Sequence, residues 1–83
     1  MHVYLQHPDA GAQAPRFLRL SLQPDLFGGW ELLRESGQAG GRIQLRRELY
    51  LQRNEATDAF EKARDQQLKR GFQVMFTHGE QPR

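Results

Sequence analysis

Apolar and polar residues alternate along most of this chain with the two-residue period of half-buried strands. Val3 and Leu5 alternate with His2, Tyr4 and Gln6, and His7-Pro8 ends that run. In RFLRLSLQP, Leu18, Leu20 and Leu22 point one way and Phe17, Arg19, Ser21 and Gln23 the other, until Pro24 stops the ladder. WELLRE gives a third run, with Trp30 and Leu32 on one face and Glu31, Leu33 and Glu35 on the opposite one. The Gly-rich stretch Ser36 to Arg42, SGQAGGR, reads as a tight hairpin whose backbone needs positive φ. Beyond it Ile43, Leu45, Leu49 and Leu51 share one parity, and Arg42, Gln44, Arg46, Glu48 and Tyr50 share the other. Arg47 interrupts the apolar parity and marks a candidate bulge, after which side-chain directions are open by one register.

From Asn54 the period changes to that of a helix. Asn54 is the expected N-cap; Ala56, Ala59, Phe60, Ala63 and Gln67 fall within one stripe, and Gly71 occupies the expected C′ position. Glu55 and Asp58 in the first turn, with Lys69 and Arg70 in the last, match the helix macrodipole. A stripe made mainly of Ala lets the helix lie close to a sheet, with Phe60 as its main anchor. Phe72, Val74 and Phe76 then alternate with Gln73, Met75 and Thr77 in a final strand, before a loose tail from residue 77 to 83. Strands first, then one helix, then a strand favours an α+β fold: an antiparallel sheet of four to five strands with one amphipathic helix packed on it.

Composition narrows the class. Eighty-three residues, 37% of them hydrophobic, suffice for a single core over residues 1–83 and leave no room for a second domain. With no Cys, a disulfide framework, a thiolate zinc site and a cysteine nucleophile are excluded. No apolar run approaches the roughly 20 residues of a spanning helix, and MHVYLQHPD lacks the regions of a signal peptide, so a cytoplasmic location without membrane contact is expected. The net charge is only +2, but between Arg16 and Arg53 seven arginines stand against four carboxylates, so the basic excess sits in the middle. Guanidinium groups suit phosphate and carboxylate by their planar fork.

Catalytic chemistry finds little support in the residues. Glu31 and Glu35 share a strand face, yet four residues separate them by about 13 Å, beyond the roughly 5 to 10 Å of paired-carboxylate hydrolysis. No Ser or Thr lies in a nucleophile-elbow context, and no cofactor motif is present. His2 and His7 face opposite sides and His78 falls in the tail, so no metal site is expected. Trp30 is expected between sheet and helix beside Leu32; exposed on a basic sheet it would instead offer a stacking surface for a base or ribose.

DLFGGWELLRE, then Gly37 and Gly40, then the helix with Glu55-Ala56, then LKRGF resembles the WGR domain, a module named for its Trp-Gly-Arg motif. The resemblance runs from about Arg16 to Phe72, with the stretch from Asp25 to Trp30 its most specific part. It implies an antiparallel sheet carrying one helix, in agreement with the periodicity. It also implies a link to DNA: WGR domains occur in DNA-dependent poly(ADP-ribose) polymerases, where they bind DNA ends, and as small bacterial proteins. Where the family carries Trp-Gly-Arg, this chain carries Ser36-Gly37-Gln38, which removes the stacking indole and the cation beside it.

The leading expectation is therefore a non-enzymatic binding module without cofactor or metal. It would contact nucleic acid, DNA rather than RNA, weakly and without sequence preference through Arg34, Arg42, Arg46 and Arg47, with Gln38 hydrogen-bonding backbone or base edges. The alternative is a protein-interaction or regulatory module that kept the scaffold after losing the nucleic-acid surface, using Phe72, Val74 and Phe76 on an edge strand.

Overall fold

The computed structural model describes residues 1–8, 15–38 and 40–78. Strands β1 (His2–His7), β2 (Arg16–Pro24), β3 (Trp30–Gln38) and β4 (Ile43–Tyr50) precede helix α1 (Arg53–Lys69) and strand β5 (Gln73–His78). All pairings are antiparallel, in the order β4-β3-β2-β1-β5. This is the α+β sheet with one packed helix that the periodicity predicts. The loop over 9–14 and the end of the tail, 79–83, lie outside the described residues.

The core follows from the alternation. Leu18, Leu20 and Leu22 of β2 meet Val3 and Leu5 of β1 and Leu32 of β3 on one face, where Ala56, Phe60 and Ala63 of α1 close over them. Leu5, Leu20 and Leu32 are fully buried. Trp30 packs against this cluster from its margin, and the Arg53 guanidinium lies 5.3 Å from the centre of its ring. The indole is thus a core-edge residue, as its parity with Leu32 implies.

The chain leaves the sheet at β4, one edge, and re-enters at β5, the other. Four inter-strand spacings amount to about 19 Å, and seventeen helical residues span about 25 Å, so one helix makes the crossing on a diagonal. It starts beside Trp30 and Tyr50. It ends near His7, where Gly71 (φ 98) and Phe72 close a Schellman motif, Gly71 N–H on the Leu68 carbonyl at 3.1 Å and Phe72 N–H on that of Gln67 at 3.0 Å.

Four local expectations are corrected. The N-cap is Gln52, without a side-chain cap bond, and Asn54 is already helical. The segment Ser36-Gly37-Gln38 is not turn but the last part of β3; Gly41 N–H bonds the Gln38 carbonyl, and the positive φ of this hairpin sits at Gly40 (φ 77). Gly37 is required for a different reason, because a methyl group there would collide with the carbonyl oxygen of Arg42, the residue just before β4. The bulge lies in β5, not at Arg47: β4 pairs with β3 in unbroken register, whereas Tyr4 faces Phe76 and Leu5 faces Val74, leaving Met75 as the extra residue. Val74 and Phe76 therefore take opposite faces, and Thr77 and His78 belong to β5 rather than to a tail.

Truncation of Leu20 to Ala is expected to cost about 2–5 kcal/mol of unfolding free energy, read from chemical denaturation, because it opens a cavity under the helix. Leu26→Ala, at a site 94% exposed in the β2–β3 turn, should stay within about 0.5 kcal/mol of the parent.

Candidate nucleic-acid interface

Register decides which arginines can act together. Side chains directly opposite on neighbouring strands share a face; Arg16 faces Gln38, Leu18 faces Ser36, and Arg34 lies between Leu20 and Arg46. Arg16, Arg34 and Arg46 therefore stand on the helix side of the sheet, in the corner that the diagonal helix leaves uncovered. The end of α1 adds Gln67 and Arg70. Together with Phe17, Leu18, Ser36, Gly37, Gln44 and Phe72 these residues line an open cleft of about 530 Å³.

One carboxylate balances this corner. Glu48 Oε1 accepts from Arg34 Nη2 at 3.3 Å and from the Tyr50 hydroxyl at 3.0 Å, and Glu48 Oε2 lies 3.8 Å from Arg46 Nη2. Burial, with the hydrogen bond to Glu48, raises the Tyr50 phenol above its ordinary pKa. Arg34 is the inner member, its side chain only 28% exposed, and its Nε is buried without a hydrogen-bond partner among the described residues. Arg16 and Arg70 are exposed and form no ion pair among the described residues. Four guanidiniums thus line one cleft, and among the described residues a single carboxylate, Glu48, pairs with two of them.

The residues singled out from the sequence do not all meet here. Arg34 and Arg46 line the cleft. Gln38 follows Ser36 on the same strand face but lies outside the lining, and Arg42 is exposed in the turn before β4. Arg47 stands on the opposite face, opposite Leu33, with its Nε 2.7 Å from Glu31 Oε2. The expected single cluster around the glycine turn is therefore split between two faces, because consecutive strand residues point to opposite sides. Arg16 and Arg70 were missed. Arg16 shares its parity with Leu18, Leu20 and Leu22, a legible sign; Arg70 reads from sequence as a helix-end charge, and only the tertiary path brings it to the cleft.

The open face of the sheet has another character. Tyr4 stacks on Phe17 with ring centres 5.9 Å apart, Arg19 lies over the Tyr4 ring at 5.5 Å, and His2 stacks on His78 at 5.3 Å. Arg19 is paired with Glu35 at 3.2 Å, so this band carries little free charge. Among the described residues no group of three or more His, Cys, Asp or Glu is placed to hold a metal ion, and no helix is long and apolar enough to cross a membrane.

A five-stranded antiparallel sheet crossed by one helix, with an arginine-lined corner, defines a small α+β module built around a surface rather than an enclosed pocket. A family model for the WGR domain matches residues 1–78, and the chain belongs to that family of nucleic-acid-binding modules. No curated protein and no solved structure matches the chain.

Desolvation, then the charges of the N-terminus, His78 and Arg19, lower the pKa of His2 below its ordinary 6.5. A depressed imidazole favours the folded state while neutral, so its contribution is present above about pH 6.5 and is lost as pH falls through the folded value. Denaturation midpoints should fall between pH 7 and pH 5, and His2→Gln should flatten that fall; an identical profile in the variant would remove His2 as a cause.

Proposed function

We propose that this chain is a non-enzymatic module that holds nucleic acid, DNA rather than RNA, by its phosphates in the cleft formed by Arg16, Arg34, Arg46 and Arg70. The observation that supports this reading is the convergence of four guanidiniums on one corner, two of which, those of Arg16 and Arg70, are exposed and in no ion pair among the described residues. A phosphate oxygen accepts from an exposed guanidinium N–H, and the planar group can offer it two parallel N–H bonds. Gln38 and Arg42, farther along the same hairpin, extend the contact surface beyond the cleft. Arg47, paired with Glu31 on the other face, takes no part.

Ser36 replaces the aromatic residue of the family motif, so affinity rests on charge rather than stacking. Binding is then weak, tolerant of sequence and steeply dependent on salt, since each neutralised phosphate releases condensed counterions. The competing reading, a protein-docking scaffold, is favoured by a separate observation: Leu26, Phe27, Ile43, Leu45 and Leu49 are exposed. Ile43, Leu45 and Leu49 lie on the face away from the cleft, so the two readings use different surfaces.

Fluorescence anisotropy with blunt and nicked duplexes across a salt series is the direct measurement. Joint Arg16→Ala and Arg70→Ala substitution should weaken binding and reduce the slope of log K against log salt by about two. Glu48→Gln, which frees Arg34 and Arg46, should tighten binding, and Arg47→Ala should leave it unchanged. Equal losses from Arg47→Ala and from the Arg16 and Arg70 pair, or no binding at low salt, would overturn the reading.

A further inference from the structure

Strand β4 forms one edge of the sheet, and among the described residues no strand pairs with its outer side. Its open-face side chains Ile43, Leu45 and Leu49 are 60, 60 and 63% exposed, and Leu51 just beyond it is 86% exposed. A long edge with unpaired N–H and C=O groups and an aliphatic margin is a template for another strand. The order of residues states which strand fits. Read outward from Arg47 in both directions, the chain gives Arg46 and Glu48, then Leu45 and Leu49, then Gln44 and Tyr50, then Ile43 and Leu51. The pattern is palindromic in apolar and polar character and complementary in charge at its first step.

We propose that β4 pairs antiparallel with β4 of a second copy of this chain, about a two-fold axis that passes through Arg47 perpendicular to the sheet. Arg46 of each copy then faces Glu48 of the other on the helix side, and Leu45 faces Leu49 on the open side, with Ile43 next to Leu51. Isologous pairing of this kind needs one self-complementary strand and nothing else. Such an axis keeps the helices of both copies on one side, so the register can be centred only on a residue. Centring on Arg46 sets Leu45 against Arg47 and Gln44 against Glu48. Centring on Glu48 sets that carboxylate against itself and Arg47 against Leu49. Centring on Leu45 sets Arg42 against Glu48 but Ile43 against Arg47, whereas centring on Arg47 matches Arg46 to Glu48 and sets every aliphatic residue of the run against an aliphatic one. The two Arg47 side chains that meet at the axis are each held by their own Glu31 at 2.7 Å, so two neutral pairs meet rather than two bare cations. The other edge, β5, is interrupted by Met75 and has no such symmetry. The product is a continuous ten-stranded sheet with both arginine clefts on one side and a joined aliphatic margin on the other, and it stands whether or not the clefts hold nucleic acid.

The chain contains no Cys, so Arg47→Cys introduces a sole thiol at the axis, where cross-strand spacing suits a disulfide. Gln44→Cys is the control, because its two copies would lie about 20 Å apart. Oxidation should give a covalent dimer with Arg47→Cys at least about tenfold faster than with Gln44→Cys. In sedimentation equilibrium the parent chain should reach the mass of a dimer, R46E and E48R should each remain monomeric, and an equimolar mixture of the two should dimerise, since each then offers the other an opposite charge at both positions. If E48R fails to fold by circular dichroism, the two cysteine variants still decide. A parent that is monomeric at every concentration, equal cross-linking rates at 47 and 44, or a dimer indifferent to R46E but lost in Phe76→Asp would overturn the proposal.

Discussion

One connection governs this molecule: a single helix must carry the chain from one edge of a five-stranded sheet to the other. The crossing width and the helix length leave it a diagonal, and the diagonal decides what is buried. Ala56 and Ala63 let the helix backbone approach β2 and β3 closely, Phe60 fills the space between them and the leucines, and the Trp30–Tyr50 end is covered. The opposite corner, around Ser36 and Gln44, is left to solvent. Side chains in that corner face the helix side of the sheet without being under the helix, so polar residues at its rim, such as Arg16 and Gln44, stay in water.

Arginine plays two roles in consequence. Arg47 reaches a carboxylate across one strand at 2.7 Å on the open face and is neutralised where it stands. Arg34 is drawn partly out of water beside Leu20 and Leu32, shares Glu48 with Arg46 and the Tyr50 hydroxyl, and keeps one buried N–H without a partner. Leaving a donor so placed is costly unless something accepts from it. Glu48 neutralises part of the corner, while Arg16 and Arg70 beside it form no ion pair among the described residues.

Much of this was legible in the chain, and its failures have a common cause. The leucines of β2 and the alternation in β1 and β3 identify the core, because a sheet with one covered face separates its residues by parity. Parity also places Arg34 with Trp30 and Leu32. It does not say which parity of β4 faces the helix, since the more apolar set is the usual candidate and here is the one turned away. The glycines around residue 37 announce tight geometry but not its kind: at Gly37 the constraint is a neighbouring carbonyl, at Gly40 a turn. Arg70 and Arg16 are 54 positions apart and meet only through the fold. The helix start slipped by two residues because Gln52 opens it without a side-chain cap, a feature that no preference for Asn foresees.

The inverted polarity of β4 ties these observations together. In β2 the leucines face the helix and the polar residues face out; in β4 the leucines face out and Gln44, Arg46, Glu48 and Tyr50 face the helix side. Polar residues on the helix side are what an open, charged corner requires, so the inversion has a local reason on that face. On the other face it has none within a single copy. Three aliphatic side chains more than half exposed forgo burial that would contribute about 1.5–3 kcal/mol each, and Leu49 and Leu45 stand symmetrically about Arg47 when polar residues would serve an exposed edge better. A strand that is polar toward its own helix and apolar toward solvent offers, on the open face of this edge, a margin suited to an interface. The same alternation thus sets the charged corner and the apolar margin on opposite faces of one edge.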